Sequence, residues 1–384
     1  MKILLTNYHL VNYAGSELYT YELANELKAL GHFVVVFTLF KGEVSQRIEG
    51  CGIPVVDNLE EIIGTKFDII HAHHNVSALL ARYFFPAVPM VYLQHGVLPQ
   101  LEHLPEFDIG IAKYLAVSEE VTESMLKNKF VNEKDLEIIR NFTETGRFKP
   151  TKPVSKELKN VLVISNHYFG DHKGIIESAC SKLGLNLKVI GLNVNSVWPV
   201  EEYINEADLV ISLGKGVLQA MSCNRDVIVY DYNGGDGMLR QDNYYEIRKK
   251  NFSGRQYGIR YNADQLVKEM QKYDPRLAVK NREIIEKEHC LENAAKRLVD
   301  IYRENRDATV DKKAVSQLRK LDFLISTFIE RLKYNNEAKK RIDDLSKEIN
   351  KIITSPSFRL AAFLHKLRMK IPGIKKIKNG HSRH

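Results

Sequence analysis

The sequence contains no uninterrupted apolar run of the ~18–20 residues that a membrane-spanning helix requires, so no transmembrane segment is predicted. Cysteine is also scarce, with Cys51, Cys180, Cys223 and Cys290 scattered along the chain and no CxxC pair among them. This usage favours a reducing cytoplasm over a disulfide framework or a zinc site.

The chain's excess of positive charge is confined to its C-terminal end. It contains 56 Lys and Arg against 48 Asp and Glu, a net charge of +8. Residues 355–384 carry eight basic residues and no acidic one, namely Arg359, Lys366, Arg368, Lys370, Lys375, Lys376, Lys378 and Arg383. The rest of the chain is therefore neutral, and the charge indicates an anionic partner for the tail rather than a basic active site.

Short apolar runs alternate with helical patterns over the first 305 residues, which predicts an α/β fold with parallel sheets covered on both faces. A polar linker near residues 150–158 interrupts the alternation, which then restarts. We therefore predict two Rossmann-like domains facing a cleft, at residues 1–150 and 151–305. The first βαβ unit lacks GxGxxG, so a nicotinamide or flavin site is not indicated.

The most informative stretch runs from Ala207 to Gly237. Its pattern predicts a buried strand at Leu209–Ser212, a glycine turn, a short helix, a second strand and a second, flexible glycine turn. Ligands of open parallel sheets bind at the carboxyl ends of the strands, and helix N-termini attract phosphate. A phosphate-bearing ligand is therefore expected at the turns that contain Lys215, Gly216, Gly234 and Gly235.

Two further segments follow the predicted domains. Residues 306–354 carry apolar positions at alternating spacings of 4 and 3, with a break at Asn335-Asn336, which predicts a short coiled coil or a helical hairpin arm. A coiled coil would support a homodimer, and a solvated hairpin is the alternative. Residues 355–384 combine an apolar stripe with basic flanks, which is typical of a helix on an anionic membrane surface. A packed terminal helix and RNA binding are the alternatives, although we expect no nucleic-acid partner.

Several short motifs occur in a consistent order over residues 1–305: Ala14-Gly15-Ser16-Glu17-Leu18, Asp68-Ile69-Ile70-His71-Ala72-His73, Gln94-His95-Gly96, Lys173-Gly174 and Leu218-Gln219-Ala220-Met221. Together they resemble the GT-B glycosyltransferases, specifically the retaining, nucleotide-sugar-dependent type common in bacterial surface-polysaccharide synthesis. The chain departs from that pattern at the donor carboxylate pair, where Gln219 occupies the second position and no Glu lies upstream of it back to Ala207. Ser165-Asn166 also replace an arginine.

The resemblance implies roles for particular residues. Lys173 and Lys215 would neutralise the leaving diphosphate, an interaction worth ~3–4 kcal/mol per good donor. His95 would contact the transferred sugar, so His95 and Lys173 are the catalytic candidates. The expected donor-binding residues are Gly15, Asn166, Lys215, Gly216, Gln219, Gly234 and Gly235. Gln219 could still bond ribose hydroxyls through its amide.

No resident metal or cofactor is expected. His71, His73 and His74 cluster, but they lie in a strand context without paired carboxylates, and no DxD pair follows a strand. We therefore expect a metal-independent, cytoplasmic enzyme, peripheral at the inner face of the cell membrane. It would move a sugar to a lipid-linked or polymeric cell-surface glycan. A nucleotide-sugar epimerase of the same fold and a catalytically inactive binding scaffold are the alternatives.

Overall fold

A computed structural model describes residues 1–192, 194–320 and 322–354. The chain divides into two compact units, the first spanning Met1–Leu321 and the second beginning at Asp322. The basic tail predicted at residues 355–384 lies outside the described residues. The first unit contains two sheets, one wholly parallel and one parallel except for a single antiparallel edge strand, in agreement with the α/β expectation.

The first domain is built on a seven-stranded sheet in the order β3-β2-β1-β4-β5-β6-β7, with every neighbouring pair parallel. The strands are β1 (Lys2–Leu10), β2 (Phe33–Lys41), β3 (Val55–Val56), β4 (Ile69–His73), β5 (Met90–Gln94), β6 (Lys113–Ala116) and β7 (Leu136–Ile138). The helices between them are α1 (Gly15–Ala29), α2 (Glu43–Gly50), α3 (Asn75–Phe84) and α4 (Glu119–Met125). The strand order reverses between β1 and β4, where ligands of such sheets bind.

The second domain carries a five-stranded sheet in the order β12-β11-β10-β8-β9. Its strands are β8 (Asn160–Ile164), β9 (Asn186–Ile190), β10 (Leu209–Ser212), β11 (Asp226–Asp231) and β12 (Gly234–Met238). The helices are α5 (Gly170–Lys182), α6 (Glu201–Glu206), α7 (Lys215–Ser222), α8 (Gln241–Arg248), α9 (Ala263–Met270) and α10 (Pro275–Glu288). Two apolar clusters cover the faces of this sheet.

The predicted second glycine turn is wrong, because Gly234–Met238 forms the buried strand β12, antiparallel to β11. The glycines permit close packing instead of flexibility. A Cβ at Gly235 would lie 2.6 Å from the Tyr261 ring and 3.0 Å from the Tyr230 ring. Gly234 adopts a φ of +116°, which glycine tolerates and other residues rarely adopt.

The chain then returns to the first domain. Helix α11 (Leu291–Asn305), counted with the second domain in the sequence-based division, packs on α1 and β5 because its apolar side is buried there. Helix α12 (Lys312–Lys320) packs on α3 and buries Ala314 and Leu318. The first unit therefore extends beyond the predicted boundary at residue 305.

The second unit contains α13 (Asp322–Thr354), a single 33-residue helix. It continues through Asn335-Asn336, so the predicted break, and with it a hairpin, is wrong. Neither asparagine is a strong helix breaker, and helical residues flank them on both sides. Within the described part of the chain, no helix is both long and apolar enough to cross a membrane.

Candidate functional site

A cavity of 350 Å³ lies where the carboxyl ends of β8, β10 and β11 meet the loop that precedes α1. It is thus formed by both domains, at the sheet edge where the sequence placed a ligand. Five predicted donor-binding residues line it together: Gly15, Asn166, Lys215, Gly216 and Gln219. Gly234, Gly235, His95 and Lys173 are not among its lining residues.

Glycines bring bare backbone to this cavity. Gly214, with a φ of +52°, turns the chain from β10 into α7 and donates its N–H to the Phe252 carbonyl at 2.9 Å. A Cβ at Gly216 would collide with the Ser212 side chain, so only glycine lets the first turn of α7 approach β10 this closely. A Cβ at Gly15 would meet open space. The N-terminus of α7 therefore faces the cavity through Gly214, Lys215 and Gly216, and helix N-termini attract phosphate.

Lys215 crosses from the second domain to the first. Its Nζ lies 2.7 Å from Glu22 Oε2 on α1 and donates to the Phe142 carbonyl at 2.9 Å. The Lys215 side chain is 9% exposed and that of Glu22 is 1% exposed, so the ion pair is shielded from water. Burial raises the pKa of Glu22, while the Lys215 ammonium opposes the shift. The other Glu22 oxygen, Oε1, is buried without a hydrogen-bond partner.

Arg255 makes the same kind of contact between the two domains. It lies in the loop after α8 and lines the cavity, and its guanidinium forms an ion pair with Glu120 on α4 of the first domain. The lysine and arginine residues that line the described cavity are thus Lys215 and Arg255, and each is paired with a carboxylate across the cleft.

Asp231 organises the inner end of the cavity, at the end of β11. Ser165 Oγ donates to Asp231 Oδ2 at 2.8 Å, and His172 Nε2 lies 3.1 Å from Asp231 Oδ1. The Tyr232 N–H also donates to Oδ1 at 2.8 Å. Burial lowers the pKa of His172 although the carboxylate opposes the shift. Sequence reasoning missed Asp231, yet its position at the end of a buried strand was the available signal.

Aromatic rings frame the cavity and were also missed. The His167 and Tyr232 rings lie 4.4 Å apart between centroids, and both residues line the cavity. Trp198 of the second domain stacks on Tyr13 of the first at 5.1 Å. The Arg147 guanidinium lies 4.0 Å from the centre of the Trp198 ring. These rings have no fixed spacing in the sequence, because they come from loops that only the packed domains bring together.

Lys173 lies on the exposed side of α5. Its side chain is 48% exposed, and its Nζ is 3.9 Å from Glu177 Oε1 and 5.9 Å from the centre of the Tyr168 ring. Helix α5 begins at Gly170, so Lys173 falls within its first turn. The structure does not bring Lys173 to the cavity with Lys215, and its catalytic role stays a prediction.

His95 belongs to a stack of histidines at the carboxyl ends of β4 and β5. Its Nε2 lies 2.7 Å from His73 Nδ1, and the two rings stack at 4.8 Å. His71 stacks on His73 and its Nδ1 lies 2.5 Å from the Tyr302 hydroxyl oxygen. Burial lowers the pKa of His71 and of His95 to about 3. At neutral pH these rings are therefore uncharged, and they offer hydrogen bonds rather than positive charge.

A second cavity, of 520 Å³, opens in the first domain between Gln94, at the end of β5, and helix α4. Its lining is mostly polar: Gln94, Val97, His103, Leu104, Glu120, Glu123, Ser124, Lys127 and Asn128. Near it, the Glu102 carboxylate packs against Gly96, where a Cβ would collide with it. Burial, with a smaller contribution from the Glu17 charge, raises the pKa of Glu102 to about 7. This wall of the cleft is rich in groups that bond hydroxyls.

Comparison with solved structures decides the fold. A glycosyltransferase from Rickettsia africae ESF-5 superposes with a TM-score of 0.61 at 15% identity, covering 80% of this chain and 99% of the other. Anabaena HepE, solved in complex with UDP-glucose, superposes with a TM-score of 0.58 at 15% identity, covering 79% of this chain and 100% of the other. The chain has the GT-B fold.

The GT-B fold agrees with the sequence of the first domain. Residues 13–147 match the family model described as Glycosyltransferase Family 4. Among curated proteins, no sequence matches the chain. The matched segment includes Glu22, His95 and Glu120, and it covers the first-domain residues that line the 350 Å³ cavity but none of the second-domain residues there.

Proposed function

We propose that this GT-B protein is a glycosyltransferase that moves a sugar from a nucleotide-sugar donor to a hydroxyl group of a glycan. The observation that carries the proposal is the 350 Å³ cavity, where the N-terminus of α7, Lys215 and Arg255 converge. A diphosphate needs this combination of N–H groups and cations. The complex of HepE with UDP-glucose supports a nucleotide-sugar as the ligand class.

The two walls of the cleft divide the substrates in this proposal. The donor would occupy the second-domain side, with its base near the His167–Tyr232 rings and its diphosphate at α7. The acceptor would occupy the polar cavity beside His95 in the first domain. We further propose retention of configuration, metal independence and a lipid-linked or polymeric surface glycan as acceptor, as the sequence resemblance implies.

Calorimetric titration of the full chain with UDP, GDP and CMP tests the donor assignment. We expect one nucleotide to bind in the micromolar range, and Lys215→Ala to weaken it at least tenfold because a phosphate contact is lost. Incubation with the matching nucleotide-sugar then tests chemistry. Release of nucleotide that depends on an added glycan would support transfer, whereas turnover of the sugar nucleotide without any acceptor would indicate an epimerase.

A catalytically inactive binding scaffold is the second candidate. It is favoured by Gln219, which stands where the related transferases carry a carboxylate, and by the position of Lys173 away from the cavity. Nucleotide binding without turnover on any glycan would support the scaffold. Recovery of turnover in Gln219→Glu would identify the missing carboxylate as the reason.

We also propose that the protein is peripheral at the inner face of the cell membrane, held by residues 355–384, and that its helical arm supports a homodimer. Flotation of the full chain with vesicles containing about one-third anionic lipid tests the first point. Lys375→Gln, Lys376→Gln and Lys378→Gln together should reduce binding, because each basic residue contributes about 1 kcal/mol at such a surface. Unchanged flotation would remove the tail from the proposal.

A further inference from the structure

The two cations at the donor cavity are already engaged by the first domain. Lys215 is bound to Glu22, and Arg255 to Glu120, while both cations line the 350 Å³ cavity. Each ion pair joins residues far apart in sequence and crosses the cleft. The same two side chains thus hold the domains together and supply the positive charge that a diphosphate requires.

The Lys215 pair is the more buried of the two. The ammonium has three N–H donors, and Glu22 Oε2 and the Phe142 carbonyl occupy two of them. In this low-exposure setting the carboxylate cancels the positive charge that the cavity would otherwise present. Glu22 Oε1 has no hydrogen-bond partner, so the carboxylate is only half satisfied and gains little beyond this one contact.

The Arg255 pair is more open to solvent, with side-chain exposures of 24% for Arg255 and 21% for Glu120. Glu120 lines the polar cavity of the first domain, so this ion pair forms a wall between the two cavities. Water screens the pair more strongly than the Lys215 pair, and its attraction is correspondingly weaker.

We propose that Glu22 and Glu120 are counter-ions that a nucleoside diphosphate displaces from Lys215 and Arg255, so that donor binding and the two cross-domain ion pairs exclude one another. The inference rests on the proposed function, because it takes the diphosphate of a nucleotide as the competing anion. A carboxylate carries one negative charge, whereas a diphosphate offers more charge and more acceptor oxygens to both cations at once.

The alternative is that each cation serves both partners, with the carboxylate holding it in position for phosphate. The two arrangements predict opposite changes in diphosphate affinity when the carboxylate charge is removed. Under competition, removing the carboxylate charge tightens diphosphate binding, because nothing has to be displaced. Under positioning, the same change weakens binding, because the cation loses its orientation.

Calorimetric titration of the full chain with UDP, GDP and ADP measures whether each variant binds the nucleotide more tightly or more weakly than the wild type. For the nucleotide that binds best, Glu22→Gln should tighten binding about tenfold, which corresponds to a typical coupling free energy between two linked events. Glu120→Gln should tighten it about threefold, because a partly exposed pair contributes less than a buried one. This gain in affinity should be absent when the corresponding nucleoside, which has no phosphates, is titrated.

Glu119→Gln is the matched control. Glu119 neighbours Glu120 on α4 and forms a bidentate ion pair with Arg140, but both residues belong to the first domain and neither lines the cavity. Its affinity for the nucleotide should equal that of the wild type. Thermal unfolding of each variant checks that the fold is retained, and Glu120→Gln carries the test if Glu22→Gln does not fold.

Nucleotide binding that is unchanged or weaker in both Gln variants, with Glu119→Gln at the wild-type value, would overturn the proposal. This result differs from failure of the proposed function, in which the wild-type chain binds none of UDP, GDP, CMP and ADP. Tighter binding of the nucleoside alone would also overturn it, because the gain would then not come from the phosphates.

Discussion

The first domain and the second domain present different side chains to the cleft. The first contributes uncharged histidines and carboxylates, among them His95, Glu22 and Glu102. The second contributes glycine backbone, the α7 N-terminus and two cations. Both walls are the carboxyl edges of parallel sheets, so the shared topology fixes where the site lies and the side chains decide what each half can bind.

The comparison shows that two similar sheets can contribute different binding groups to one cleft. Hydrogen-bonding groups without net positive charge suit a hydroxyl-rich acceptor, whereas N–H groups and cations suit a diphosphate. The cross-domain ion pairs join the two walls. Variants on one wall should therefore produce effects that variants on the other do not.

Lys215→Ala should give the largest effect on stability. It leaves the Glu22 carboxylate buried without its counter-charge, which costs about 3–5 kcal/mol when one partner of a buried pair is removed. Urea unfolding at pH 8 measures the loss. Lys188→Ala is the control, since the exposed Lys188–Glu206 pair should contribute less than about 1 kcal/mol. Equal losses in the two variants would mean that the Glu22 pair is not shielded as described.

Gly235→Ala tests whether the second-domain glycines serve packing or flexibility. The added methyl group would press on the Tyr261 and Tyr230 rings, and overpacking of this kind costs about 1–3 kcal/mol. Gly174→Ala, inside α5 with open space around it, should instead gain about 0.5–1 kcal/mol. Thermal unfolding of Gly235→Ala and Gly174→Ala measures the two changes in stability. A Gly235→Ala protein as stable as the wild type would indicate that this segment is flexible rather than tightly packed.

Glu102→Gln should give the smallest effect, and one that depends on pH. Folding raises the pKa of Glu102 to about 7, so its carboxyl favours the folded state below the unfolded pKa and loses that contribution as the pH rises through 7. The variant should therefore gain about 1 kcal/mol relative to wild type between pH 5 and pH 8, after allowance for partial exposure. Urea unfolding across this range measures it, with the exposed Glu106→Gln as control. A constant difference would contradict the burial of the carboxyl.

Local pattern was sufficient for most of the fold. The strand at Leu209–Ser212 lies where its apolar run predicted it, and strands alternate with helices over both predicted domains. The pattern failed at Gly234–Met238, because five residues with three glycines carry no strand signal of their own. There, pairing with β11 and the nearby tyrosine rings decide the conformation.

The residues of the candidate site also fall into those that the sequence predicted and those that it did not. Strand-end position placed Lys215 and Gly216 at one edge, the family resemblance added Gly15, Asn166 and Gln219, and the structure brings all five to one cavity. Asp231 and Arg255 were not found, because their importance depends on partners that are distant in the chain.

What the sequence by itself determined is the alternation of strands and helices, the two-domain division and the edge at which glycine turns collect, since these follow from short-range periodicity and backbone freedom. Only the tertiary structure decided which charges meet. The pairs Lys215–Glu22 and Arg255–Glu120 join the two domains, and electrostatic attraction depends on separation in space rather than along the chain. For the same reason, Lys173, the catalytic candidate in the sequence, lies on an exposed helix face, whereas Lys215 lies in the wall of the cavity.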